Sequence, residues 1–455
     1  MRRGVVALLV AGANAAPNFL FIVVDDLGNY IEQYAGFAKT PNVARLAEAG
    51  SQFDHAHISV PICGPSRTAF LTGMRPDTTQ VWTIGPYFRN VAKGQGMEVV
   101  TLPQLFRQSG YNVTGAGKIY HPGTPSGGLI KSEGGGDQCP NQSKLNECAH
   151  RPALDEPASW TEPYHFCDQY ANDTVQSPAM QSWACSLHGE ARRDGAVATW
   201  PSCGGGCVQT DECVACFKSC GTWGKAGAYA ACDCPDACYP EGVIAEQTIR
   251  VLRDKAEHPT GAPWFHAVGF KRPHLSYRAP RRFFDMYDVK SIPLPLHRTP
   301  SPTAPAISYA HTCIANADPA SHEDDPYGMA AAVFLNSAAA AGACTPSVMQ
   351  RTSAFNGTYD SYIEIIKDDT IVRELRRAYY ATISFTDAAL GRVLDELQRL
   401  KLDSNTAITF IGDHGYQNGQ KGEVRAEELP SRTCAPLGQG ACLSQIDASA
   451  CAPAR

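Results

Sequence analysis

The sequence lacks an excess of basic residues, and it lacks any long apolar run. Its 455 residues include 39 Lys and Arg against 45 Asp and Glu, which gives a formal net charge of −6. Nucleic-acid-binding proteins usually carry a basic excess, so this balance argues against a nucleic-acid partner. No stretch approaches the roughly 20 apolar residues that a membrane-spanning helix requires, and we expect no membrane span. Core-forming residues are not scarce, because 44% of the chain is hydrophobic and 9% aromatic, and this excludes wholesale disorder.

Cysteine, by contrast, is abundant and unevenly placed. Twelve of the 18 cysteines fall between Cys139 and Cys238, a density typical of disulfide-linked secreted modules. We therefore predict a Cys-rich insertion at residues 131–238. Zinc is the alternative, but Cys213-x-x-Cys216 is a weak zinc signature without a second such pair. The insertion either has no role or offers carbohydrate contacts through aromatic side chains: Trp160, Tyr164, Trp183 and Trp200.

The N-terminus is consistent with a secretory route. Arg2 and Arg3 precede a short apolar run and then a small-x-small triplet, which predicts a signal peptide at residues 1–16. Four N-x-[ST] sequons fit the same route: Asn112, Asn141, Asn172 and Asn356. Asn112 lies in a strand-like stretch, so we expect no glycan there. We expect the protein in the secretory pathway, outside the cell or in a lysosomal or vacuolar lumen.

Short apolar runs alternate with segments of helical period. Residues 19–24 form a continuous apolar run, typical of a strand buried on both faces. Thr40 and Pro41 predict a helix start, with Thr40 as the N-cap. Further strands are predicted at 111–114, 264–270 and 407–411, and further helices at 102–109, 244–253 and 372–400. This alternation predicts an α/β fold with a mostly parallel sheet flanked by helices.

Polar residues follow nearly every predicted strand. Because ligands of parallel sheets bind beyond the carboxyl ends of the strands, we expect these residues to form one site. They are Asp25, Asp26, Lys118, His121, Arg272, His274, Asp413 and His414. The three carboxylates and one imidazole among them suit Ca²⁺ or Mg²⁺ and do not require zinc. The alternative is that these acids are helix caps or loop residues.

Cys63 stands at the start of another helix, with Arg67 four residues later. A helix N-terminus beside an arginine favours an anionic or nucleophilic centre, so a cysteine nucleophile is one interpretation. A buried structural cysteine is the other.

Four motifs in order resemble the signatures of the type I sulfatases, and most closely the iduronate-2-sulfatase branch. They are Cys63-Gly64-Pro65-Ser66-Arg67, Gly117-Lys118-Ile119-Tyr120-His121, Lys271-Arg272-Pro273-His274 and Asp413-His414-Gly415-Tyr416. The resemblance covers residues 17–122, 238–290 and 372–423. It implies an alkaline phosphatase-like sandwich with a catalytic domain at 17–424, and hydrolysis of sulfate monoesters.

The resemblance also implies a role for each motif residue. Cys63 would be oxidised to formylglycine (3-oxoalanine) by a formylglycine-generating enzyme, and its hydrated form would attack sulfur. One divalent cation, Ca²⁺ by resemblance, would be bound by Asp25, Asp26, Cys63, Asp413 and His414. Arg67 would orient the modified residue, Lys118 would bind sulfate, and His121 would accept a proton. His274 would assist the leaving oxygen, and Arg272 would contact substrate or only shape the pocket.

The sequence departs from the family pattern after Tyr416. The family lysine that contacts sulfate falls on Ala426, and neither Lys421 nor Arg425 is in register with it. Residues 425–455 form an atypical tail, so the family's smaller antiparallel C-terminal subdomain is predicted to be truncated.

Three functions remain open from the sequence. The first is a sulfatase acting on a sulfated sugar, such as a 2-O-sulfated uronic acid, or on a small sulfate ester. The second is a phosphoesterase or phosphonate hydrolase of the same superfamily. The third is a non-catalytic secreted protein that retains the fold.

Overall fold

The computed structural model describes residues 16–34, 36–82, 87–121, 155, 158–161, 211–220, 229–274, 277–298, 369–420 and 424–427. The predicted signal peptide lies outside these ranges except for its last residue. So do most of the Cys-rich insertion, the sequons at Asn141, Asn172 and Asn356, and the tail beyond residue 427.

Strands and helices alternate along the described chain. The strands are β1 (Asn18–Val24), β2 (Asn112–Gly117), β3 (Tyr229–Cys232), β4 (Trp264–Phe270), β5 (Tyr277–Pro280), β6 (Thr406–Gly412), β7 (Gly415–Asn418) and β8 (Val424–Glu427). The helices are α1 (Pro41–Ala49), α2 (Cys63–Thr72), α3 (Pro76–Thr79), α4 (Phe88–Gly94), α5 (Leu102–Gln108), α6 (Asp211–Ser219), α7 (Pro240–Glu257), α8 (Arg281–Phe284) and α9 (Asp369–Arg399). Each strand and helix predicted from the sequence is present. The largest shift is at α7, which begins before and ends after the predicted 244–253.

A four-stranded sheet in the order β2-β4-β1-β6 forms the centre, and all its pairings are parallel. The side chains of β1 alternate between two hydrophobic cores. Leu20 and Ile22 pack on the face covered by α7 and α9. Phe21 and Val23 pack on the opposite face, with residues of α2, α4 and α5. The predicted fold class, a parallel sheet flanked by helices, is confirmed.

The predicted cap of α1 is wrong in its detail. The helix begins at Pro41, but the side chain of Thr40 makes no capping hydrogen bond. Instead the carboxylate of Asp387, on the distant helix α9, accepts hydrogen bonds from the backbone N–H groups of Asn42 and Val43. A carboxylate at a helix N-terminus satisfies its free N–H groups and complements its dipole. The sequence around Thr40 contains no sign of this long-range cap.

Disulfides cross-link the described part of the Cys-rich insertion internally. Three bonds join α6 and the residue that follows it to the segment before α7 in a nested ladder: Cys213–Cys238, Cys216–Cys234 and Cys220–Cys232. Phe217 of α6 packs on Tyr239, which in turn packs on Phe385 of α9. Disulfides rather than zinc therefore hold these six cysteines.

Residues 158–161 are also integrated into the core. Thr161 donates its backbone N–H to the carbonyl of Val113 in β2, and its hydroxyl accepts from the N–H of Val113. Trp160 is 4% exposed and packs edge-on against Tyr120. The interpretation of Trp160 as a carbohydrate contact is therefore wrong, because its ring faces the protein interior. The other three aromatic candidates lie outside the described residues.

No helix in the described ranges is long and apolar enough to cross a membrane.

Candidate active site

The register of the sheet brings four strand ends to one edge. Val24 pairs with Phe270 and with Gly412, and Gly117 pairs with Gly269. The residues that follow these strands therefore emerge side by side, although they are hundreds of residues apart in sequence. The polar groups that the sequence places after β1, β2, β4 and β6 lie at this edge.

A set of four potential metal ligands lies at the centre of the site. Asp25, Asp26, Cys63 and His414 are all buried, and one ligand atom from each lies within 4.8 Å of the others. Asp413 lies beside this set, with its Oδ2 3.6 Å from Nε2 of His414. The structure thus brings together the five residues that the sequence proposed as metal ligands.

Cys63 is the first residue of α2, which places its side chain against the ligand set. Its Sγ lies 3.1 Å from Nε2 of His414, 3.4 Å from Oδ1 of Asp25 and 3.4 Å from Nζ of Lys118. Among the described cysteines it is the one without a disulfide. Burial, with a further contribution from Asp25, raises the pKa of the Cys63 thiol. A raised pKa favours the neutral thiol at this position over the thiolate.

Arg67, one turn into α2, joins three segments of the site. Its Nε donates to Oδ2 of Asp413 at 3.0 Å, and its Nη2 donates to Oδ1 of Asp25 at 2.8 Å. Its Nη1 donates to the carbonyls of Lys118 and Ile119. A rigid guanidinium can make these contacts at once because its donors diverge in one plane. Arg67 is only 1% exposed, so it acts within the wall of the site.

Lys118 and His121 both follow β2. The ammonium group of Lys118 lies 2.7 Å from Oδ2 of Asp25 and is almost fully buried. His121 is 4% exposed, at the end of the short segment whose carbonyls bind Arg67. His121 is therefore buried beside the site and is not a surface histidine.

The segment after β4 carries Lys271, Arg272 and His274. His274 is buried and lies near enough to Asp25 to influence its ionisation. Arg272 is fully buried, and its Nη1 donates to the carbonyl of His274 at 3.2 Å. The backbone N–H of Arg272 donates to Glu241 in the first turn of α7. The guanidinium of Arg272 thus binds the backbone of its own segment, at His274, which fits the hypothesis that Arg272 shapes the pocket.

The neighbouring cations affect the pKa values of Asp25 and Asp26 differently. Burial alone would raise the pKa of Asp25, but Lys118 and Arg67 hold it well below its usual range. Asp26 differs: burial raises its pKa to about 7, and the attraction of His414 is too weak to prevent this. For His414, burial acts to lower the pKa, but Asp413 and its other anionic neighbours raise it well above the ordinary value.

The donor set fits a hard divalent cation. Oδ1 of Asp26 lies 3.3 Å from Nδ1 of His414 but accepts no hydrogen bond from the described residues, although it is buried. Buried carboxylate oxygens normally find a donor or a cation. Ca²⁺ has oxygen ligands at about 2.3–2.6 Å, so ligands on opposite sides of it lie about 5 Å apart. The ligand atoms of the cluster lie within 4.8 Å of one another, close enough to contact one cation.

Two supporting residues escaped the sequence analysis. Tyr379 of α9 hydrogen bonds with the backbone at Asp26 and Gly28. Glu241 binds the backbone of Arg272, as described above. The apolar periodicity of α9 already predicts a buried aromatic residue at Tyr379. The sequence therefore gave no separate sign that this residue contacts the site. Glu241 did carry one, since an acid in the first turn of a helix behind a proline is a frequent N-terminal partner.

The position at which the sequence resemblance predicts a lysine lies near the site. Ala426 of β8 pairs with Tyr416 of β7, two residues after His414, and Arg425 pairs with Gln417. Lys421 lies outside the described residues.

Comparisons with known proteins agree with the motifs. A family model described as Sulfatase matches residues 17–433. A sulfatase of Formosa agariphila is 28% identical over 427 residues, covering 92% of this chain and 63% of the relative. Iduronate 2-sulfatase of Mus musculus is 27% identical over 419 residues, covering 90% of this chain and 56% of the relative. The chain thus spans between 56% and 63% of the length of these two relatives.

A solved structure supports the fold. The phosphonate monoester hydrolase of Agrobacterium radiobacter superposes with a TM-score of 0.50 at 19% identity, covering 90% of this chain and 64% of that one. At this identity the likeness concerns the architecture and not the substrate.

Proposed function

Because this chain belongs to the sulfatase family, we propose that it hydrolyses sulfate monoesters at the edge of its parallel sheet. The observation that carries the proposal is the position of Cys63. Its Sγ lies within 3.4 Å of His414, Asp25 and Lys118, at the centre of a buried set of metal ligands. A side chain there is in contact with groups that suit both a cation and an anionic substrate.

We infer that Cys63 is oxidised to formylglycine and that Asp25, Asp26, Asp413 and His414 hold a divalent cation, proposed as Ca²⁺. Together these groups would supply an activated hydroxyl nucleophile and positive charge for the oxygens of the ester. The sulfur atom of Cys63 marks the place that the modified side chain would take. Arg67 would hold that side chain's surroundings rigid through its bonds to Asp25 and Asp413.

The remaining polar residues bind the substrate and transfer protons. The Lys118 ammonium, 3.4 Å from Sγ of Cys63, would bind a sulfate oxygen. We assign His121 as the base that accepts a proton from residue 63, and His274 as the donor to the leaving oxygen. Arg272 supports His274 through its carbonyl.

The substrate class follows from the relatives only as a proposal. Iduronate 2-sulfatase acts, by its name, on a 2-sulfated uronate, so we propose a sulfated sugar or polysaccharide, with small sulfate esters as the alternative. The disulfide ladder is compatible with maturation in the secretory pathway. A formylglycine-generating enzyme would be the partner during maturation.

The test is anion release by the full chain, made in a host that has formylglycine-generating machinery. A panel of sulfate esters and matched phosphate esters is offered to the wild-type chain and to Cys63→Ala. We expect sulfate release by the wild type and a loss of at least about 10³-fold in the variant, as for removal of a nucleophile.

The alternatives predict different results. Preferential phosphate or phosphonate release would favour a phosphoesterase. Absence of any release from folded protein whose residue 63 carries the aldehyde would contradict the enzymatic proposal and favour a non-catalytic protein. That last outcome would be the one expected if Ala426 cannot replace the family lysine.

A further inference from the structure

We propose that Tyr379 is a positioning residue that fixes Asp26 in the conformation that binds metal. This inference rests on the proposed function, because it concerns the cation site of that function. Tyr379 lies in the N-terminal half of α9 and is fully buried. It acts on the site through the backbone of the turn that follows β1.

The turn at Asp26 has an unusual conformation. Asp26 has φ = 59°, in the left-handed region that favours glycine. Such a conformation persists where surrounding contacts determine it, and it occurs frequently at ligand sites. The conformation directs the Asp26 carboxylate toward Nδ1 of His414, 3.3 Å away.

Hydrogen bonds hold the turn at both ends. The N–H of Asp26 donates to Oδ1 of Asp413 at 2.9 Å. The hydroxyl of Tyr379 donates to the carbonyl of Asp26 and accepts the N–H of Gly28 at 3.0 Å. One phenol oxygen thus satisfies two backbone groups that a non-repetitive turn would otherwise leave unmatched.

The phenol itself is held by its neighbours. Its ring packs edge-on against Tyr30 and against Tyr277, with centroids 5.4 Å apart in both pairs. The hydroxyl is therefore in place before any ligand arrives. Outer contacts of this kind orient metal ligands, and their loss typically lowers metal affinity by about 10–100-fold.

The experiment compares Tyr379→Phe with Tyr380→Phe in the full chain. Tyr380 is the matched control, because it is the adjacent residue of α9, is 1% exposed and takes no part in the Asp26 turn. Calcium affinity is measured by calorimetry. The lifetime of Tb³⁺ luminescence in H₂O and D₂O reports the number of waters on the ion in each variant. Melting temperatures in EDTA report stability without metal.

We expect Tyr379→Phe to bind Ca²⁺ about 10-fold or more weakly than the wild type and to admit about one additional water on Tb³⁺. Tyr380→Phe should match the wild type in both. Equal affinity and equal water count in Tyr379→Phe would overturn the proposal and leave the proposed function intact. A lower melting temperature with an unchanged water count would indicate a purely structural role and would also overturn it. A wild-type chain that binds neither ion would remove both this inference and the metal site on which it rests.

Discussion

Two buried aspartates with left-handed backbones, Asp26 and Asp155, have opposite surroundings. Asp155 has φ = 64° and is fully buried, and both of its oxygens are saturated. Its Oδ1 accepts from Tyr87 at 2.7 Å and from Arg89 at 2.5 Å. Its Oδ2 accepts from Arg89 at 2.6 Å and from Ser159 at 2.5 Å. Four donors meet one carboxylate, and none of its oxygen atoms is left for a ligand.

Asp26 has almost the same φ and burial, but Oδ1 of Asp26 accepts no hydrogen bond from the described residues. A close charged neighbour is His414, whose Nδ1 lies 3.3 Å from Oδ1, and burial raises the pKa of Asp26 to about 7 despite that neighbour. A fully satisfied buried carboxylate stabilises the fold, whereas an unsatisfied one retains binding capacity at a cost in stability. The number of donors to the carboxylate oxygens therefore distinguishes a structural acid from a candidate metal ligand. Burial and backbone conformation do not, because Asp26 and Asp155 share them.

The strongest test of the comparison is Asp26→Asn. We expect sulfate release to fall by about 10³-fold or more. The amide is a weaker ligand than the carboxylate for the proposed divalent cation, which would stabilise negative charge on the ester oxygens. The melting temperature in EDTA should stay the same or rise, because the cost of burying the Asp26 carboxylate exceeds the attraction of His414. A large fall in the metal-free melting temperature would contradict the view that Asp26 serves binding at the expense of stability.

Lys118→Met tests whether the ammonium group of Lys118 binds the substrate in addition to its ion pair with Asp25. We expect kcat/KM to fall by about 10²–10³-fold, the usual effect of removing a donor to a developing negative charge. Arg67 would still compensate Asp25 at 2.8 Å, so the chain should remain folded. Lys93→Met, on the surface of α4, is the control for mutation of a lysine. Unchanged kcat/KM in Lys118→Met would restrict Lys118 to a structural ion pair.

Asp155→Asn should give the opposite pattern from Asp26→Asn. Loss of the carboxylate breaks a buried pair with Arg89, and we expect unfolding to become easier by about 2–3 kcal/mol, since Arg89 keeps some access to solvent. Urea unfolding measures this change. Calcium affinity of the folded fraction should stay within about twofold of the wild type, because mutations at sites that share no partners are independent. A selective loss of calcium affinity would show that the two clusters are coupled.

The sequence predicted the four strands of the central sheet and the main helices that flank it, and it proposed site residues that the structure brings to one edge of that sheet. Apolar runs such as 19–24 identify buried strands, and polar residues after them mark the edge where ligands bind. What it could not supply are contacts between distant segments. The cap of α1 comes from Asp387, and the turn at Asp26 is held by Tyr379. In both cases the partner is more than 340 residues away, so local propensity carries no trace of it.

The same limit applies to Trp160, for which the structure excludes one of the two alternatives that the sequence left open. Composition placed this residue in an insertion, and an aromatic residue in an insertion fits a carbohydrate contact. The structure places it in the core beside Tyr120, because residues 158–161 bind along β2. A Cys-rich sequence can thus include segments that complete the main core.

The smallest expected effect concerns Ala426, the position at which the sequence resemblance predicts a lysine. The backbone of Ala426 lies opposite Tyr416, two residues after His414, so a lysine there would start from a position close to the site. If the existing cations do not fully neutralise a bound sulfate, a further cation should improve sulfate binding. We expect Ala426→Lys to raise kcat/KM for a sulfate ester about tenfold, less than the full effect of a transition-state donor, because the surrounding residues have not adapted to it. Arg425→Ala is the companion variant: a loss of activity there would indicate that Arg425 already supplies the missing charge. If Ala426→Lys gains nothing and Arg425→Ala loses nothing, the anion site is already as saturated by its existing cations as Asp155 is by its donors.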